Sequence, residues 1–173
     1  MKIDFKNINY LKVGNSKQKE IYRIIREHKL LETLTEYNPI IVGTIPINID
    51  TDKSDIDIVL QTNNFEKLKC ILHQKFSNFQ NFQIEFLEDN ILVCNFNLEN
   101  VPFELYAKNQ KTEEQNGYLH MVKEYNILQS KDNDFAEEIR NLKKKGIKTE
   151  PAFCQLLGIK GNPYIELLKY EVK

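Results

Sequence analysis

The sequence predicts a mixed α+β fold, a largely antiparallel sheet flanked by helices and followed by a helical C-terminal lobe. Two observations carry this. Short β-branched or alternating apolar runs are confined to residues 39 to 107, and from residue 112 onward apolar residues recur only at helical spacing. A chain of 173 residues with 41% hydrophobic content can fill a real core. No Gly/Ser-rich linker interrupts it, so residues 1–173 are expected to form a single domain, with the sheet and its helices in about 1–110 and the helical lobe in about 111–173.

The elements follow in order. Asn15 and Ser16 are candidate caps for a helix through "KQKEIYRIIREHKLLETL", where Ile21, Ile24, Ile25, Leu30, Leu31 and Leu34 approximate one stripe. Pro39 marks the change to a strand, "PIIVG", which ends at Gly43. A turn from Thr44 to Lys53 leads to a second strand, "SDIDIVLQ". Next, "NNFEKLKCILHQKF" has helical spacing, with Asn63 or Asn64 as cap. Three extended runs, "FQIEFLE", "ILVCNFNL" and "VPFELYA", are separated by the turn-forming pieces "EDN" and "EN", as in a meander. Thr112 and Gln115 have capping-box spacing before the stripe Tyr118, Met121, Val122, Tyr125 and Leu128. "DNDFAEEIRNLKKKG" starts with acids and ends with lysines and Gly146, the order the helix dipole favours. "TEPAFCQLLG", capped by Thr149, and "NPYIELLKY" complete the lobe.

Composition narrows the function. A formal charge of -1 and a pI near 6.3 give no global footprint for nucleic acid. Cys70, Cys94 and Cys154 are scattered, form no CxxC pair and are odd in number, against both a disulfide framework and a zinc site. No apolar run approaches the roughly 18 residues needed to span a bilayer. A cytoplasmic protein without a membrane partner is the expectation.

The chemistry concentrates in "DTDKSDIDIVL", Asp50 to Leu60. Asp50, Asp52 and Ser54 mimic the first ligands of an EF-hand, but Asp55 stands where that loop needs Gly, and Gln61 where it needs a bidentate Glu. Asp50 and Asp52 therefore belong to a solvated approach turn. Side chains two apart on a strand share a side, so Asp55 and Asp57 project together while Ile56 and Ile58 point to the core. Two parallel carboxylates repel, and a divalent ion is the usual remedy. Just upstream, Gly43-Thr44 ends the preceding strand, where glycine allows close backbone approach and a hydroxyl can meet phosphate oxygens.

"VGTIPINIDTDKSDIDIV" resembles the signature of the nucleotidyltransferase superfamily of the DNA polymerase beta type: Gly and a small residue, a spacer of about ten, then Asp-hydrophobic-Asp. With "YLKVGNSKQ" before it, and "EEQNGYLHMVKE" and "PAFCQLLGIKGNPY" after it, the chain resembles domain-of-unknown-function family 4269 from about Tyr10 to Leu168. The resemblance implies a nucleotidyltransferase-like sheet, with Asp55 and Asp57 holding Mg2+ or Mn2+ and Gly43, Thr44 and Ser54 receiving a nucleoside triphosphate, ATP favoured. It also implies a third metal-binding carboxylate on a later strand. Glu104 in "VPFELYA" is the choice and Glu85 in "FQIEFLE" the rival; either is a Glu where Asp is more usual. The implied activity is transfer of a nucleoside monophosphate, AMP by preference, to a hydroxyl on a protein, a small molecule or RNA. The competing reading is a non-catalytic nucleotide- or metal-binding module, antitoxin-like in character.

The remaining polar signals are weaker. His120 and Glu124, four apart on one helix, and Gln115 are candidate cleft residues; an exposed pair and a plain capping partner are the alternatives. Lys143, Lys144 and Lys145 are expected to be a solvated helix end. His28 and His73 have no evident partner.

Overall fold

The computed structural model describes residues 3–87 and 90–172. Glu88 and Asp89, two of the three residues of the expected "EDN" turn, lie outside them. Helices α1 (Asn9–Lys12), α2 (Ser16–Glu27) and α3 (Leu30–Thr33) lead to strand β1 (Ile40–Val42). Strand β2 (Ile56–Gln61), helix α4 (Phe65–Phe76) and strands β3 (Gln80–Leu87), β4 (Ile91–Leu98) and β5 (Val101–Lys108) follow. Helices α5 (Asn116–Gln129), α6 (Asn133–Lys144), α7 (Thr149–Leu157) and α8 (Pro163–Lys169) end the chain. The five strands form one sheet in the order β1-β2-β5-β4-β3. Only β2 and β5 are parallel, so the sheet is mixed and mostly antiparallel, as the sequence predicts.

The period-2 alternation of β2 divides the molecule. Ile56, Ile58 and Leu60 face one side and join Cys94, Phe96, Phe103 and Leu105 under α2 and α4. There Phe96 stacks on Phe103 with ring centroids 5.3 Å apart, and on Phe76 at the same distance. On the other side Ile40, Val42 and Val59 pack beneath the C-terminal helices with Met121, Ile139 and Phe153. That cover holds at the β1–β2 end, and Asp57 and Glu104 meet a cavity. The turn after β1 is packed rather than loose: Ile45, Pro46, Ile47 and Ile49 are buried. Such burial stabilises by roughly 1.5–3 kcal/mol for each large aliphatic side chain.

Local chemistry departs from expectation in four places. The helix predicted through Leu34 breaks after Glu27, because Lys29 adopts a left-handed conformation (φ 51) and redirects the chain. That turn keeps Leu30 and Leu34 in the same core as Ile21 and Ile25. Thr112 and Gln115 do not form a capping box; Thr112–Glu114 is a 3-10 turn, and Gln115 sits at the cap position of α5 without a side-chain cap bond. Its amide donates instead to the carbonyls of Leu60 (2.9 Å) and Gln110 (3.0 Å). At α7, Thr149 opens the helix and Lys148 holds the cap position, with no side-chain bond. His28 has partners after all, Glu99 at 2.9 Å and the Phe79 ring edge-on. Elsewhere Asn15, Asn64, Asp132 and Asn162 cap their helices through side-chain oxygens.

Candidate active site

Strand register assembles the centre of the site. Val42 pairs with Asp57, and Asp57 pairs with Glu104 on the parallel neighbour β5. Directly paired residues on neighbouring strands have Cβ atoms about 5 Å apart on one face, so Asp57 and Glu104 are carboxylate neighbours by construction. Glu85 belongs to β3, two strands beyond β5, and is exposed. The sheet therefore puts Glu104, not Glu85, beside the aspartates. Asp55 lies just before β2, exposed at the mouth, and its charge acts on both Asp57 and Glu104.

Electrostatics of this row are unfavourable without a cation. Burial first, then the Asp55 and Glu104 charges, push the Asp57 carboxyl up to about 7. Burial and Asp55 raise Glu104 as well. A carboxylate is normally ionised far below neutrality, so the raised pair Asp57 and Glu104 is short of compensating positive charge.

Gly43 makes room for Asp57. Its φ is +86, and a Cβ built there would lie 2.5 Å from Oδ2 of Asp57. The carboxylate thus rests against the glycine backbone, which explains why Gly and Asp occur together in this motif. Thr44 and Ser54, ten residues apart, are brought together with their hydroxyl oxygens at 3.4 Å. The Thr51 N–H donates to Ser54 Oγ at 2.9 Å and fixes the end of the approach turn.

A cavity of about 510 Å³ joins these groups to the helical lobe. Gly43, Thr44, Asp57 and Glu104 line one wall; Gln115, His120 and Glu124 line the other, with Glu150 beside them. Asp55 and Ser54 stand outside the lining. His120 and Glu124 are only 6% and 3% exposed, so the exposed-pair alternative is overturned. Helix α5 can come this close because Gly117 rests on Val42 and Val59; an added Cβ would lie 3.3 Å from a Val42 methyl. Gln115 is equally buried, and with Nε2 committed to two carbonyls its Oε1 has no hydrogen-bond partner among the described residues.

Two expectations about charges need correction. Lys143 is not a solvated helix end: it donates to the Ile49 carbonyl at 2.8 Å, and burial holds its ammonium down at about 8 against the raising charges of Asp50, Glu124 and Asp55. Periodicity carried a clue, since Lys143 follows the fully buried Ile139 by four residues. Asp50 is not freely solvated either; its side chain is 14% exposed and pairs with Lys17 at 3.4 Å, whereas Asp52 is exposed. Sequence reasoning also missed Glu150, because an acid in the first turn of a helix ordinarily signals only the helix dipole.

Residues 23–170 match the family model described as a domain of unknown function (DUF4269). No curated protein matches the chain. Among solved structures, the chain is similar to a Cid1 poly(U) polymerase with bound MgGTP, at TM-score 0.56 and 10% identity over 79% of this chain and 46% of that one. It is similar to a GLD-2/RNP-8 complex at TM-score 0.53 and 14% identity, covering 86% and 60%. A third likeness is to the polymerase core of TRAMP, an RNA surveillance complex, at TM-score 0.50 and 15% identity, covering 92% and 50%. The chain thus spans about half the length of the structures it matches, and at these identities the likeness is one of fold. Among the described residues, no helix is long and apolar enough to cross a membrane.

Proposed function

The chain belongs to the DUF4269 family, and from that premise we propose that it is a nucleotidyltransferase of the DNA polymerase beta type, moving a nucleoside monophosphate, AMP by preference, from a triphosphate to an acceptor hydroxyl. The observation that carries this is the pairing of Asp57 with Glu104 across β2 and β5, with Asp55 one step before and Gly43-Thr44 alongside. The fold is shared with a poly(U) polymerase solved with MgGTP and with the polymerase core of an RNA surveillance complex, which supports the reaction class.

The donor set fits a hard divalent cation: three carboxylates, with an Asp57 carboxyl held high by burial and by the Asp55 and Glu104 charges. Asp55, Asp57 and Glu104 would hold Mg2+ or Mn2+, which when bound supplies charge stabilisation to the attacking and leaving oxygens of an in-line displacement. The Gly43 backbone with the Thr44 and Ser54 hydroxyls offers donors to phosphate oxygens. Lys143, already within electrostatic reach of the acid row, offers the cation for a triphosphate. The unpartnered Oε1 of Gln115 is an acceptor and suits an exocyclic amino group, as adenine carries, better than a carbonyl. The acceptor hydroxyl enters through the rest of the cavity, where His120 and Glu124 stand opposite Asp57.

The test is incubation of the pure protein with Mg2+ or Mn2+ and each labelled triphosphate, following self-labelling and labelling of a lysate. Asp57→Asn should lower metal-dependent transfer by at least roughly 100-fold, with the fold intact by circular dichroism, while Glu85→Gln should leave it unchanged. Full activity in the Asp57→Asn protein overturns the assignment. Metal-dependent nucleotide binding without turnover for any triphosphate supports the non-catalytic module instead.

A further inference from the structure

The wall of the cavity opposite the aspartates carries its own converging ligand set. His120 and Glu124 are one turn apart on α5, and Glu150 comes from the first turn of α7. One potential ligand atom from each lies within 4.8 Å of those of the other two. A tetrahedral shell on bonds of about 2.1 Å places ligands roughly 3.4 Å apart, so modest side-chain rotation closes the gap.

Two further observations indicate that the set awaits a ligand. His120 is 6% exposed, and its buried Nδ1 has no hydrogen-bond partner among the described residues. Glu124 is 3% exposed and lines the cavity, and its carboxylate makes no hydrogen bond or ion pair among the described residues. Lys143 acts on Glu124 only through its charge, and the second charge that Glu124 meets is the like charge of Glu150. Buried carboxylates and imidazoles are otherwise almost always partnered, because leaving one bare forfeits its hydration without return.

We infer that His120, Glu124 and Glu150 form a second divalent-cation site, for an ion of the zinc or manganese class, separate from the Asp55, Asp57 and Glu104 row. The mixture of donors selects the ion. One imidazole with two carboxylates suits zinc and its transition-metal neighbours, whereas magnesium prefers oxygen and would favour the all-carboxylate row. Three protein ligands would leave a position open, in the pattern of zinc sites that bind water or substrate, and all three residues line the cavity shared with Asp57 and Glu104. The inference does not depend on nucleotide transfer.

Metal stoichiometry of the full chain tests it. After chelation, the protein is titrated with Zn2+ in excess Mg2+, and separately with Co2+, whose visible absorption reports nitrogen and oxygen coordination. The Asp55→Asn/Asp57→Asn double variant should still bind one zinc per chain. Glu124→Gln and Glu150→Gln should each weaken zinc at least roughly 10-fold and remove the cobalt bands. Glu150 is half-buried, so its glutamine variant keeps the test informative if changes at the buried Glu124 disturb folding. Without metal, Glu124→Gln should raise the thermal midpoint, because it removes an unpaired buried acid. Loss of zinc in the double variant, or unchanged zinc affinity in both glutamine variants, overturns the site. Transfer activity lost in Asp57→Asn with zinc binding intact, or the reverse, separates the two readings.

Discussion

The two faces of the sheet are built from adjacent residues and behave oppositely. Phe103 and Ile58 close one face under α2 and α4, while Glu104 and Asp57, their neighbours in sequence, form the acid row on the other. The first face is apolar, stacked and fully buried; the second carries carboxyls that burial and mutual repulsion drive toward protonation. The difference teaches where the site's rigidity comes from: packing free energy on one face holds repelling charges in register on the other. Phe103→Ala should therefore cost stability, about 3–5 kcal/mol by urea unfolding, while folded molecules keep most of their metal affinity. A comparable loss of affinity in the folded protein would show that the acid row draws on the Phe96–Phe103 stack for more than stability.

The apolar face was also the more legible one. Strand alternation is a local property, so "DIDIVL" announced that Ile56 and Ile58 share a side and Asp55 and Asp57 share the other. Glu104 against Glu85 was a question of strand order, which depends on a crossover linking β2 to a parallel β5 and is not encoded in either strand alone. His120 and Glu124 were visible as a helix face, but whether that face met water or a cavity depended on how closely Gly117 lets α5 approach β1 and β2. Glu150 and Lys143 each looked like ordinary helix-end charges. Their role follows only from where α6 and α7 dock.

Protonation sharpens the comparison next, since the carboxyls that burial raises lie on the acid face. Asp57 rises from 3.8 to about 7 on folding, with Asp55, Glu104 and Lys143 as the charges that face it. Below pH 4 the group is protonated in both states and the associated stability is fully present. As pH climbs toward 7 the unfolded chain ionises while the folded one resists, so stability is lost across that window. Glu104 and Glu124 shift in the same direction, and Lys143, held down at about 8, keeps most of its charge up to pH 7 and begins to lose it at pH 8. At 1.36 kcal/mol for each pH unit the Asp57 contribution is at most about 4 kcal/mol, and solvent at the cavity mouth reduces it to roughly 2–3. Unfolding in chelator at pH 5 and pH 8 should show this loss, Asp57→Asn should flatten it, and Mg2+ or Mn2+ should restore stability at pH 8. Greater stability at pH 8 than at pH 5 without metal would mean that Asp57 is ionised and already compensated.

The smallest effect on stability is expected at Gly43, and it isolates the contact between backbone and acid. Gly43→Ala imposes a left-handed backbone on a residue with a Cβ, about 1–2 kcal/mol, and also drives that Cβ to 2.5 Å from Oδ2 of Asp57. Gly158 is the matched control: its φ is +68, yet an added Cβ meets nothing within 4 Å. Both alanine variants should unfold at similar denaturant concentrations, because the backbone strain is alike and Asp57 can swing aside. Only Gly43→Ala should weaken Mg2+ or Mn2+ binding, by roughly 10-fold for a displacement of one ligand, since swinging aside takes Asp57 away from Glu104. If the two variants bound metal equally well, Gly43 would be there for the turn alone, and the contact with Asp57 would be a by-product of the strand pairing.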